Sequence, residues 1–300
     1  MYLHKIGNTY IALILAMLLV FITSSRQAMC QNKKALLIGI SSYPTSTAPT
    51  WSTIHGANDV KLLYTTLSSK GYTITRLCDS KATSTNIKKA LSSLVSNSKA
   101  GDTIYIHFSC HGQPVEDING DEEDGWDESI VPYDAQMSYI KGVYEGEHHI
   151  TDDELNTYLS NIRKTIGARG FLCVVIDACH AGGSSRGDTD DEGFCRGTQN
   201  GFSSTGRTYR PRINAQGHFQ ITRDKWMSHI VILEACRSYQ SNYEISQGGT
   251  YYGPLSYYVN QVLSKEDNLS DVKWINQVKK MMEDDVRLTR QNMVYESSIQ

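Results

Sequence analysis

Residues 171–182 read Phe-Leu-Cys-Val-Val-Ile-Asp-Ala-Cys-His-Ala-Gly, and the fold class turns on this stretch. Phe171 to Asp177 is a very apolar run that reads as a buried strand, and it stops at small residues around a Cys-His pair. Similar short apolar runs lie at Lys34–Ser41, Asp102–Ser109 and Ile230–Ala235, and Tyr72–Cys78 alternates like a strand. Helical patterns fall between them. Asn58-Asp59 is placed to cap a helix running to about Ser69, with Gly71 just past its end. Thr83–Ser96 carries Ile87, Leu91, Leu94 and Val95 at helical spacing, and Thr151 to Glu154 forms a capping box. Further helices are expected at about 254–264 and 270–288, while Gly112–Tyr144 reads as irregular and acidic. Strands alternating with helices imply an α/β fold with a mostly parallel sheet covered on both faces. In such sheets ligands bind beyond the carboxyl ends of the strands. The residues that follow the third, fourth and fifth strands are therefore expected to meet.

The chain has 300 residues, a length that one α/β domain can fill. It carries 29 Lys and Arg against 32 Asp and Glu, which excludes a globally basic nucleic-acid binder. Ile11 to Ile22 is an unbroken apolar run after Lys5, shorter than the roughly 20 residues of a membrane span. With the small and polar residues up to Ala28 it reads as a signal peptide, 1–28, with lipid attachment at Cys30 as the alternative. The expected location is secreted or periplasmic. Seven cysteines are too few for a disulfide scaffold and odd in number, so at least one is unpaired within the chain. Cys78, Cys110, Cys173 and Cys236 fall in or at the ends of strand-like runs and read as small buried hydrophobes.

Cys179 is different. The third strand ends in Ser109-Cys110-His111-Gly112 and the fourth in Asp177-Ala178-Cys179-His180. A cysteine attacks as thiolate, and a nearby imidazole holds that thiolate or carries the leaving-group proton. Gly112, Ala181 and Gly182 leave room for a substrate backbone, and backbone N–H groups near Gly112 and Cys179 are candidate oxyanion donors. One such residue alone would read as core; His111 and Cys179 together read as a catalytic dyad. Zinc is disfavoured, because Cys110-His111 and Cys179-His180 alternate faces and no C-x-x-C spacing occurs.

The segments HFSCHG (107–112), DGWDESIVPYD (124–134), ITDDEL (150–155), VVIDACHAGG (174–183) and ILEACRSYQ (232–240) occur in the order and spacing of metacaspases, which the chain resembles over about residues 34–264. The Q-A-C-x-G pattern of caspases is not matched. The resemblance implies a caspase-like three-layer sandwich. It implies a large-subunit-like part to about 182, an exposed loop at about 183–225 and a small-subunit-like part from about 226. It also implies a monomeric thiol endopeptidase acting on protein or peptide substrates after Arg or Lys. Asp59, Ser109 and Asp177 match the pocket that binds the basic side chain, where carboxylates form charge-assisted bonds. Asp127, Asp152 and Asp153 match calcium ligands. The fourth ligand position is Arg186, with Asp188 two residues on. Hard carboxylate oxygens suit Ca²⁺.

Arg186, Arg196, Arg207, Arg210 and Arg212 lie in the loop and are candidate points of self-cleavage. Tyr251, Tyr252, Tyr257 and Tyr258 either line the cleft or pack a helix. A clostripain-like or legumain-like peptidase of the same wider fold is the alternative enzyme, and a non-catalytic binding module the alternative from another class.

Overall fold

The computed structural model describes residues 31–46, 48–120, 122, 124–180, 193–198, 200–211, 219 and 221–299. The signal peptide, Cys30, Arg186, Asp188 and Arg212 therefore lie outside the described residues. Six strands form one sheet: β1 (Lys33–Gly39), β2 (Thr73–Cys78), β3 (Thr103–Ser109), β7 (Phe171–Asp177), β8 (His229–Glu234) and β11 (Val294–Ser297). Their order across the sheet is β11-β8-β7-β3-β1-β2. The first five run parallel; β11 lies antiparallel on the edge of β8.

Both faces of the sheet are apolar, with side chains alternating between them. One face presents Leu36, Ile38, Ile106, Phe108, Val174 and Ile176 to α2 (Ser84–Asn97) and α3 (Asp152–Ile166). The other presents Leu37, Tyr105, Cys173, Val175 and Leu233 to α1 (Gly56–Ser69), α4 (Pro254–Leu263) and α5 (Lys273–Asp284). The result is the three-layer α/β sandwich with a mostly parallel sheet. Thr151 caps α3 by accepting the Glu154 N–H at 3.3 Å.

Four sequence expectations are corrected. Asn58-Asp59 do not cap α1: the helix starts at Gly56 with no side-chain cap, and Asp59 is buried in its first turn. The stretch 270–288 is not one helix. Asp285 is extended and its carboxylate caps the N–H of Arg287, so a 3₁₀ turn follows and Val286 is exposed. Gly112–Tyr144 is only partly irregular. β4 (Gly112–Glu116) pairs with β5 (Trp126–Ile130), which pairs with β6 (Ile150–Thr151), and further on β9 (Ile245–Gln247) pairs with β10 (Thr250–Tyr252). Pro114 and the flanking acids hid these strands. The described part of 183–225 is not a simple exposed loop, since Arg196 and Phe202 are buried. The expected helix at 254–264 is α4, and α5 with β11 completes the core and the sheet edge.

Glycine sets how closely α1 approaches the sheet. A Cβ at Gly56 would overlap the carbonyl oxygen of Ser109 and lie 2.8 Å from Ile40 N. That approach delivers Asp59 beneath the ends of β1 and β3. Gly56→Ala should destabilise the protein by about 1–3 kcal/mol through overpacking, read as a lower midpoint in urea denaturation.

Candidate active site

β3, β7 and β8 end level, with Ser109 opposite Asp177 and Ile176 opposite Glu234. The register places Cys110-His111, Ala178-Cys179 and Ala235-Cys236 side by side just beyond the sheet. Cys110 points into the core, while His111 lines the cleft at the tip of the sheet.

A segment of the chain itself crosses this end of the sheet. Arg196 N–H donates to Asn242 O, and Glu244 N–H donates to Phe194 O, both at 2.9 Å. Cys195 bridges Tyr243 in antiparallel fashion, so residues 194–196 lie as an added strand along 242–244. Downstream the segment follows β4. Gly197 bridges Gly112, Phe202 N–H donates to Pro114 O, and Glu116 N–H donates to Phe202 O. Glu116 fastens the far end, accepting from Ser203, Ser204 and Thr205. Those bonds hold its carboxyl below the usual range although burial opposes them.

The Arg196 carbonyl oxygen accepts the N–H groups of Gly112 and Cys179, each at 3.1 Å. Two convergent backbone donors on one carbonyl oxygen form an oxyanion hole in waiting. The side chain of Arg196 is fully buried. Its guanidinium meets Asp59 at 2.7 Å, Glu244 at 2.8 Å and Asp177 at 3.6 Å, and donates to Ser109 Oγ at 2.6 Å. Asp59, Ser109 and Asp177 are thus brought together in one pocket. The sequence reading missed Glu244, which Asn242 and Glu244 signal only as alternate polar residues after the fifth strand.

Neighbouring groups hold the pocket in shape. Ser109 Oγ donates to Asp59 at 2.6 Å. Asn242 Nδ2 donates to Asp177 Oδ1, and Ser256 N–H and Oγ donate to Asp177 Oδ2, all at 2.7 Å. Ser256 Oγ in turn accepts from His107 Nε2 at 3.0 Å, and Tyr105 OH donates to His107 Nδ1 at 3.1 Å. Burial keeps His107 neutral, pulled down to about 3. Gly253 caps the pocket, where a Cβ would collide with Asp177 and Arg196. Burial pushes the Asp59 carboxyl up to about 7; Arg196 pulls it down and Asp177 pushes it up again. Burial pulls Arg196 down, but its three carboxylates outweigh this and leave it above its ordinary value.

His111 is held from behind. Its Nε2–H donates to Ser52 O at 2.8 Å, since a carbonyl can only accept. Its ring stacks on Trp51 at 5.1 Å and leans on Tyr43 at 5.2 Å. Nδ1 therefore carries the lone pair of the neutral ring, and it has no hydrogen-bond partner among the described residues. His111, Cys195 and Gly197 line one open cleft. Burial pulls His111 down to about 4 and pushes Cys179 well up, so imidazole and thiol are both neutral here. Cys179 Sγ donates to Gln240 O at 3.2 Å.

The remaining candidates are more scattered. Arg207 lies over Trp126 and near Glu116, and Arg210 is exposed; neither enters the pocket. Tyr251 stacks on His55 at the cleft, whereas Tyr258 bonds Asp285 away from it. None of the six described cysteines is in a disulfide. No described helix is long and apolar enough to cross a membrane. Asp127 and Asp152 are buried, but Asp153 accepts from Asn119 at 2.8 Å. Among the described residues no three His, Cys, Asp or Glu side chains gather as a metal site. Calcium takes roughly six to eight oxygens, so Asp127, Asp152 and Asp153 supply only part of such a shell.

A family model described as the metacaspase, peptidase C14 domain matches residues 33–185. Metacaspase-1 of Eremothecium gossypii is 34% identical over 160 residues, 50% of this chain and 32% of that protein. Metacaspase-1A of Aspergillus fumigatus is 27% identical, covering 85% of this chain and 67% of its own length. This chain thus matches about a third of the Eremothecium protein's length. Two solved structures share the fold. One is a Geobacter sulfurreducens protein with TM-score 0.60 and 17% identity, covering 88% of this chain and 93% of that one. The other is caspase-1 of Spodoptera frugiperda with TM-score 0.51 and 14% identity, covering 89% and 88%.

In the Cys179→Ala protein, His111 should keep the nitrogen shifts of the neutral Nε2–H tautomer from pH 8 down to about 5. NMR of ring-labelled protein measures this, and titration near its unperturbed value of about 6.5 would contradict the buried geometry.

Proposed function

Because this chain belongs to the metacaspase family of C14 peptidases, we propose that it is a cysteine endopeptidase cleaving after Arg or Lys, and that its own Arg196–Gly197 bond is a substrate. The observation that carries this reading is the seating of Arg196. Its side chain lies on three carboxylates while its carbonyl oxygen meets two backbone N–H groups, one of them that of Cys179. Three carboxylates around a fixed guanidinium favour a basic side chain over the Asn of a legumain-like enzyme.

The steps follow from the atoms present. The thiol proton of Cys179 passes to Nδ1 of His111, and Sγ attacks the Arg196 carbonyl carbon. Negative charge then develops on the oxygen held by Gly112 and Cys179 N–H. The imidazolium proton passes to the Gly197 nitrogen as the peptide bond breaks. Water then attacks the thioester, giving its proton to His111 and releasing the Arg196 carboxylate with free Cys179. Until this happens the seated segment fills the site, so the uncut chain is latent.

Calcium activation is proposed on narrower ground, the buried carboxylates Asp127 and Asp152. Export by residues 1–28, with Cys30 lipidation as the alternative, and a monomeric state are proposals resting on the sequence and its resemblance.

Incubation of the protein lacking residues 1–28 should give fragments ending at Arg196 and starting at Gly197, read by mass spectrometry. Cys179→Ala and Arg196→Ala should each leave that bond whole, and chelator should slow the cut. A cut at Arg196 in the Cys179→Ala protein would remove the nucleophile assignment.

The processed enzyme should also lose efficiency toward Arg peptides as pH falls. Burial raises the Asp59 carboxyl above the usual range, so on acidification it takes a proton and the pocket loses the charge that holds the cation. A kcat/KM profile for the wild type against Asp59→Asn, which should flatten this limb, checks the sign.

A further inference from the structure

The seated segment is also a record of what the cleft accepts on either side of Arg196. We infer that the enzyme selects peptides of the form aromatic-x-Arg-Gly, with the aromatic residue two positions before the basic one. This rests on the reading of the cleft as a peptidase site and adds to it two specificity-determining positions.

The aromatic position is built from His55 and Tyr251. The Phe194 ring meets the His55 ring edge-on at 4.6 Å and the Tyr251 ring at 4.9 Å and 76°. His55 and Tyr251 stack on each other at 5.0 Å and 23°. The three rings thus form an aromatic corner of favourable edge-to-face geometry. His55 is not free to turn away, since Nδ1 is bound to Glu244 Oε2 at 2.5 Å and its backbone N–H to Glu244 Oε1 at 2.7 Å. Glu244 therefore grips Arg196 and the wall of the aromatic corner at once. Along an extended chain, residues 194 and 196 project to the same side, so one acidic residue reads two positions.

The glycine position follows from the nucleophile's own backbone. A Cβ at Gly197 would overlap the carbonyl oxygen of Cys179 and lie 2.7 Å from its carbonyl carbon. These are main-chain atoms of the residue whose N–H holds the Arg196 carbonyl, so they cannot shift without disturbing the oxyanion donors. Gly193, at the other end, would meet only Glu244 O at 3.7 Å, so the cleft does not demand glycine there.

The experiment uses the processed enzyme and four internally quenched peptides of equal length. One contains Phe-Ala-Arg-Gly; the others replace Phe by Ala, Gly by Ala, or Arg by Gln. The Phe→Ala and Gly→Ala peptides should each lose about tenfold or more in kcat/KM. Tyr251→Ala should shrink the difference between the Phe and Ala peptides, a change in ratio that a general loss of folding would not produce. In the uncut chain, Gly197→Ala should stop self-cleavage with Arg196 still present. Equal cleavage of the Phe, Ala and Gly-replaced peptides, with only the Gln peptide resisting, would overturn this inference and leave the Arg-specific peptidase standing. Cleavage of none of them, or of the Gln peptide as well as the Arg ones, would overturn the Arg-specific reading itself and this inference with it.

Discussion

A guanidinium enclosed by three carboxylates, away from water, is the interaction on which this end of the molecule depends. Asp59, Asp177 and Glu244 arrive from α1, β7 and the segment after β8, three parts of the chain that would repel one another in a dry pocket. Buried carboxylates are tolerable only when paired and hydrogen-bonded, and breaking such a cluster by removing one partner is strongly destabilising. The surplus of acid over base explains why burial and Asp177 leave the Asp59 carboxyl high, even against Arg196. A pocket so charged needs a cation. Arg196 supplies it.

Main-chain geometry completes what the charges begin. The parallel strands end level, so the oxyanion donors of Gly112 and Cys179 stand side by side at the tip of the sheet. The 242–244 segment offers an edge to which 194–196 adds as a strand, and β4 offers the track beyond Arg196. Side-chain charge chooses the residue, whereas backbone pairing sets its register. Together they fix the Arg196 carbonyl oxygen on the N–H groups of Gly112 and Cys179, while burial keeps the Cys179 thiol and the His111 imidazole neutral. In the proposed cleavage, charge separation is confined to the moment of reaction, when two backbone N–H groups are there to meet it.

Much of this was legible locally. The apolar runs 34–41, 102–109 and 171–177 marked strands, because only a sheet covered on both faces tolerates them. His111 and Cys179 stood out because each follows such a strand among small residues. The weaker elements were hidden for identifiable reasons. β4 contains Pro114 and β5 is rich in acids, so neither shows a strand pattern. Asp285 interrupts a run that otherwise keeps helical periodicity. Glu244 lies in a polar stretch whose alternation carries meaning only once Arg196 is known to face it.

The sequence by itself determined the α/β layering, the family, and the placing of a Cys and a His beyond adjacent strands. These follow from hydrophobic periodicity and from short contiguous motifs, which are local properties of the chain. Only the tertiary structure decided that Arg196, among the five arginines expected in the loop, is the one seated on Asp59 and Asp177, that Glu244 joins them, and that Gly197 lies against Cys179. Those pairings link residues far apart in the chain. They are chosen by the balance of buried charge and by backbone closeness in space, and neither quantity is written in any single stretch of sequence.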